Sequence, residues 1–133
     1  MKLVVADASA LAEYLLRTER GDEIRPVVEA EAHDLHTPFL CDVELAAVLC
    51  RGLLAGRMGD VRAREALTDY LDLPLERHGH PQLVSRALEL RENFSAYDAV
   101  YVALAEGLGA ALLTADRPLA RATRRHTGVT VLP

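Results

Sequence analysis

Cysteine is scarce in this chain, with Cys41 and Cys50 the only two. Their spacing is neither CxxC nor that of a zinc knuckle, which excludes a disulfide framework and a thiolate metal site; both fall in one apolar segment, where a free cysteine acts as a small hydrophobe. Long apolar runs are missing too. MKLVVADASAL reaches an acid at Asp7, too soon for a signal peptide, and no stretch approaches the roughly 18 residues that span a bilayer. The expectation is a cytoplasmic protein with no membrane partner. There is one lysine, Lys2, so fourteen of the fifteen Lys and Arg residues are arginine. The net charge of −5 argues against a nucleic-acid binder that works by bulk attraction. Arginine does suit bidentate phosphate contacts, although genomic base composition also yields an arginine bias. Repeats, low-complexity tracts and Gly/Ser linkers are absent, so residues 1–133 are expected to form a single domain. Half of the composition is hydrophobic, enough for a real core.

Short apolar runs alternate with helical periodicity. Leu3 to Ala6 suits a buried parallel strand ending at Asp7. A helix follows, with Ser9 placed to cap it and Leu11, Leu15 and Leu16 inward. A second helix is predicted from near Gly21 to about Ala32, and a brief strand over Leu35 to Thr37. The strongest helical pattern runs from Phe39 to Leu54, where Leu40, Val43, Ala47, Cys50 and Leu54 are spaced 3, 4, 3, 4. Gly56 and Gly59 end it and admit another helix through Ala66 and Leu71, then a short strand over Leu73 to Leu75. Pro81 is expected to start a further helix. Ser95 to Glu106 reads as a helix stopped by Gly107, Ala110 to Thr114 as a strand, Asp116 as the start of an arginine-rich helix, and Val129 to Leu132 as a last strand. The fold class is therefore α/β, with a central, mostly parallel sheet of four to five short strands flanked by about seven helices.

Four acids stand beside apolar stretches: Asp7, Glu44, Asp98 and Asp116. Each has a structural explanation. Asp7 suits a turn or cap, Asp98 completes a capping box with Ser95, and Asp116 suits the N-cap of the helix that follows. Glu44 is the hardest to explain, being set among Leu40, Ala47 and Val48; Arg51, seven residues on, is its candidate partner. Brought together, the four would form a set of hard oxygen ligands for Mg²⁺ or Mn²⁺, suited to chemistry on phosphates. Asp7 and Asp116 both lie just past strand ends, where open α/β sheets bind ligands. Asp22 and Asp42 read as solvated surface acids. The histidines, at 33, 36, 78, 80 and 126, lack ligand spacing and read as surface or loop residues.

The four segments together resemble a PIN domain, specifically the VapC-type toxin ribonucleases of bacterial toxin–antitoxin pairs. Asp7 with Ser9 matches the opening D-x-S/T element, Glu44 the glutamate of the third helix, Asp98 the Y-D-A-x-Y-x-A-L-A-E string and Asp116 the T-A-D-x-x-L-A string. The resemblance implies metal-dependent hydrolysis of RNA phosphodiesters, with these four as catalytic and metal-binding residues. Ser9 and Thr114 would orient them through their hydroxyls. Arg117, Arg121 and Arg124 recur at helical spacing behind Asp116, where they suit either an RNA path or a solvated face. The resemblance also implies a homodimer and an antitoxin partner, with DNA bound only through that antitoxin. Leu11, Leu15, Leu16, Leu49, Leu53, Leu54 and Met58 are the apolar residues expected to serve such contacts if the core does not take them. Two other readings remain open: a PIN nuclease of RNA processing, and a non-catalytic interaction module within a repressor complex. A haloacid dehalogenase-type phosphatase needs a second Asp where Ser9 stands, and a receiver domain needs a late lysine; both fit poorly.

Overall fold

In a computed structural model that describes all of residues 1–133, the chain forms five strands and seven helices. They follow in the order β1 (Lys2–Ala6), α1 (Ala8–Leu15), α2 (Glu19–Val28), β2 (His33–Pro38), α3 (Leu40–Leu54), α4 (Asp60–Asp72), β3 (Leu75–His78), α5 (Val84–Glu89), α6 (Ala96–Leu108), β4 (Ala111–Leu113), α7 (Arg117–His126) and β5 (Val131–Leu132). All strand pairs are parallel, and the sheet order is β3-β2-β1-β4-β5. From β1 the chain winds outward through β2 to β3, then returns to lay β4 against the other side of β1. That reversal opens a crevice at the carboxyl ends of β1 and β4, the place where doubly wound sheets hold ligands. No helix is long and apolar enough to cross a membrane.

The central strands are apolar because they are covered on both faces. Val4, Val5 and Ala6 of β1 and Leu112 and Leu113 of β4 are buried, within one hydrophobic cluster of 32 residues. Helix α1 packs on α2, α3 and α4, while α6 lies against β1, β2 and β4 with α5 beside it.

Several sequence expectations shift. The cap of α1 is Asp7, which accepts from the Ala10 amide, and Ser9 lies inside the helix. Helix α6 runs through Gly107 to Leu108 and ends at Gly109, whose left-handed backbone (φ 64°) no β-carbon hinders. Pro81 precedes α5 by three residues, and the short strand near Leu73 begins at Leu75 instead. The largest change is in α3. The 3-4-3-4 stripe is not its buried face: Cys41, Leu45, Leu49 and Gly52 turn inward, and Val43 and Leu54 are 67% and 90% exposed. A helix that is apolar nearly all round carries no contrast to say which stripe faces in; its packing against α1, α4 and β2 decides. For the same reason Leu11, Leu15 and Leu49 belong to the core rather than to a contact surface.

The crossing of α1 and α2 depends on a missing side chain. A β-carbon at Gly21 would lie 2.2 Å from the Glu13 carbonyl oxygen and 3.2 Å from the Tyr14 α-carbon. These are backbone atoms of α1, which cannot rotate away. Gly21→Ala is therefore expected to lower stability by about 1–3 kcal/mol, as overpacking does, despite alanine's better helix propensity. Urea denaturation measures this; an equal or higher midpoint would mean that the helices separate at no cost.

Candidate metal centre

The local sequence sets three of the four acids at the beginning of a helix. Asp7 caps α1 and Asp116 caps α7, where Asp116 Oδ1 accepts from the Leu119 amide at 3.0 Å. Asp98 sits in the first turn of α6; its own amide donates to Ser95 Oγ at 3.1 Å. Glu44 lies in the early part of α3. Partial positive charge at helix N-termini favours carboxylates there, so capping and ligand duty coexist.

All four line one cavity of about 300 Å³, together with Ser9, Val48, Arg51 and Tyr101. Asp7 is the deepest, only 4% exposed. Because Ala6 of β1 pairs with Leu113 of β4, the next residue of each strand, Asp7 and Thr114, are neighbours. The Thr114 hydroxyl donates to Asp7 Oδ2 at 2.5 Å. Ser9 Oγ donates to Asp7 Oδ1 at 2.7 Å and accepts from the Ala115 amide at 3.0 Å. Thr114 Oγ1 in turn accepts from the Asp116 amide at 3.0 Å. Ser9 and Thr114 thus tie the β1 and β4 ends together around a carboxylate.

The electrostatics record the convergence. Burial pushes the Asp7 carboxyl up to about 6; bonds from Thr114, Ala10 and Ser9 hold it down in part, and the charge of Asp116 adds to the rise. Asp98 is also raised, by burial first and then by the charges of Asp116 and Glu44. Charges that raise one another face a common space, and a divalent ion held there would relieve both the burial and the repulsion. The donor set is all carboxylate oxygen, the chemistry that Mg²⁺ and Mn²⁺ take.

Glu44 finds a partner other than Arg51. The Tyr101 hydroxyl donates to Glu44 Oε1 at 2.6 Å, and burial, with nearby Cys41 and Glu44, keeps that phenol protonated. Arg51 lines the cavity without pairing to Glu44. Tyr101 was legible as the tyrosine of the Y-D-A-x-Y string, but nothing in the sequence aims it across to α3. Asp42 is a surface acid with partners: it pairs with Arg77 at 2.8 Å and accepts from Tyr70 at 2.5 Å. Arg117, Arg121 and Arg124 line a second cleft of about 300 Å³ with Arg20, Thr114 and Pro133, adjoining the acids through Thr114.

Among the histidines, His36 departs from the surface-or-loop expectation. His36 is 4% exposed in β2 and contacts His78 in β3. His80 Nε2 accepts from the Leu40 amide at 3.0 Å, capping the helix that carries Glu44, where Phe39 supplies no side-chain cap.

A parallel sheet in this order, with four acids at its switch point, defines the class: the chain belongs to the PIN domain family, whose sequence profile matches residues 4–125. Among its relatives is ribonuclease VapC9 of Mycobacterium tuberculosis, 40% identical over 131 residues, covering 98% of this chain and 99% of that protein. Two solved structures share the fold. The M. tuberculosis toxin VapC20, which cleaves the sarcin–ricin loop, matches with a TM-score of 0.70 at 18% identity over 98% of this chain and 99% of that one. VapBC2 of Rickettsia felis, bound to promoter DNA, matches with a TM-score of 0.72 at 13% identity over 97% and 96%.

Proposed function

We propose that this protein is a Mg²⁺- or Mn²⁺-dependent endoribonuclease, the toxin of a toxin–antitoxin pair, with Asp7, Glu44, Asp98 and Asp116 as its metal-binding and catalytic residues. The observation that carries this reading is the meeting of four carboxylates, far apart in sequence, in one cavity at the sheet's switch point. The ribonuclease name of a full-length relative at 40% identity supports the substrate class. A divalent ion held there supplies Lewis acidity toward a phosphodiester and an activated water. The chain's own residues provide position. Ser9 and Thr114 fix the Asp7 carboxylate, Tyr101 fixes Glu44, and the helix N-termini hold Asp98 and Asp116. Arg51, the one cation lining the cavity, is placed to meet a phosphate oxygen, and Arg117, Arg121 and Arg124 with Arg20 offer phosphate contacts along the adjoining cleft.

The partners follow from what one copy leaves uncovered. Phe39, Val43 and Leu54 of the α3 region and Val61, Leu67 and Leu71 of α4 are exposed apolar residues, surface suited to a second copy of the chain and to an apolar antitoxin segment. DNA would be reached through that antitoxin.

The test is cleavage of RNA by purified protein, with cut sites mapped by end sequencing. Cutting is expected with Mg²⁺ or Mn²⁺, loss of cutting with EDTA, and recovery when Mn²⁺ is restored. Cutting that persists in EDTA, or no cutting with any divalent ion, would overturn the proposal.

A further inference from the structure

We infer that His36, Glu76 and His78 form a second cation site, for a first-row transition ion such as Zn²⁺, spanning β2 and the edge strand β3. Its residues are not among those lining the acid cavity, and its donors differ in kind, so it does not depend on the ribonuclease reading.

The sheet register builds the site. Parallel pairing sets His36 beside Glu76 and Pro38 beside His78. Side chains alternate faces along a strand, so Asp34, His36, Glu76 and His78 share one face of the β2–β3 pair. Their donor atoms have closed in: His36 Nδ1 lies 2.8 Å from His78 Nε2 and 3.4 Å from Glu76 Oε2, and one donor atom from each of the three residues lies within 4.8 Å of the others.

Asp34 decides the chemistry. Its Oδ2 lies 3.0 Å from His36 Nε2, so that nitrogen carries the proton and donates. The Nδ1 lone pair is therefore directed at His78 and Glu76. A carboxylate behind the far nitrogen of an imidazole is the usual outer support of a metal-ligating histidine, fixing its tautomer and raising its basicity. Without an ion, the His78 Nε2 proton fills the gap between the rings. An ion takes that proton's place, and the proton passes through solvent to His78 Nδ1, so that His78 binds as its other neutral tautomer. Tetrahedral zinc at Zn–N of about 2.0–2.1 Å separates two nitrogens by about 3.3 Å, so the rings must part by about half an ångström. His78 can supply this movement, since it is the last residue of an edge strand and only half-buried.

Two imidazoles and one carboxylate favour Zn²⁺, Co²⁺ or Ni²⁺ over Mg²⁺, and three protein ligands leave a fourth position for water. The location gives occupancy a consequence. The His78 carbonyl accepts from the Phe39 amide at 2.9 Å, and His80, two residues on, caps α3. An ion at this strand end braces the start of the helix that carries Glu44.

The test uses the untagged full chain, stripped of metal and titrated with Zn²⁺ against a chromophoric chelator, then with Co²⁺ followed by visible absorption. One equivalent of Zn²⁺ is expected to bind tightly enough to compete with the chelator, with the intense visible bands of four-coordinate Co²⁺, in the wild type and in Asp98→Asn, any weaker Zn²⁺ taken up by the acid cavity lying outside that equivalent. His78→Gln and Glu76→Gln should each weaken Zn²⁺ at least about tenfold and remove those bands, and Asp34→Asn should weaken it about 10–100-fold. Glu76 is exposed, so its variant tests the site even if His78→Gln fails to fold. Zn²⁺ affinity unchanged by Glu76→Gln, Zn²⁺ binding lost in Asp98→Asn, or no Zn²⁺ binding at all would overturn the inference.

Discussion

Asp98→Asn is expected to reduce RNA cleavage by at least about a hundredfold, since loss of a mere outer partner of a metal ligand already costs 10–100-fold, while the fold holds. The substitution keeps the shape of the side chain. The capping bond to Ser95 Oγ uses the Asp98 amide, not its carboxylate, so α6 retains its start. One negative charge leaves a cavity in which Asp98 is raised by Asp116 and Glu44, so repulsion falls and the metal-free melting temperature stays level or rises. Activity and melting temperature measured on one preparation separate the two effects. Cleavage within a few-fold of wild type, or a collapse in melting temperature, would remove Asp98 from the role proposed for it.

Asp7→Asn is expected to stabilise the metal-free protein at pH 8 while abolishing cleavage. Asp7 binds its proton more tightly in the folded protein, near 6 against 3.8 for the free side chain. The stability linked to that proton is full below about pH 4 and is lost as pH rises through 6. At pH 8 the buried, ionised carboxylate costs about 3 kcal/mol by the usual conversion. Asparagine removes that cost and can keep the local bonds. Its carbonyl accepts from Ser9 and Ala10, and its amide donates to Thr114 Oγ1, whose own proton turns to Ser9 Oγ, 3.3 Å away. Denaturation at pH 5 and pH 8 in EDTA should show the wild type losing stability across that step by more than the variant does. Mn²⁺ should shrink the gap by stabilising the ionised wild-type site. A variant no more stable than wild type at pH 8 would mean that Asp7 is not held under electrostatic strain.

Much of the site was legible because it rests on short-range rules. A carboxylate after a strand and before a helix is both a cap and, in an α/β sheet, a residue at the ligand-binding edge; that reasoning located Asp7 and Asp116 without any contact information. Ser9 and Thr114 enter through the family resemblance, and both hydroxyls bond the Asp7 carboxylate. The failures have a common cause. The buried face of α3 was misjudged because Leu40, Val43 and Leu54 are as apolar as Cys41, Leu45 and Leu49, and only the neighbouring elements distinguish them. The partners of Asp42 are not legible along the chain because Arg77 lies in β3 and Tyr70 in α4. The contact of His36 with His78 is invisible in the sequence because spacing along the chain says nothing about two strands in register.

Local sequence by itself determined the alternation of strands and helices, the approximate ends of most of them and the setting of Asp7, Asp98 and Asp116 at helix starts, because periodicity, caps and apolar runs act over a few residues. The tertiary structure decided what crosses the sheet. Tyr101 meets Glu44, His80 caps α3, and His36 lies beside His78, all through backbone register and helix packing between residues at least 40 positions apart. No window along the chain contains both partners of any of these pairs, which is the physical reason they appear only when the chain is folded.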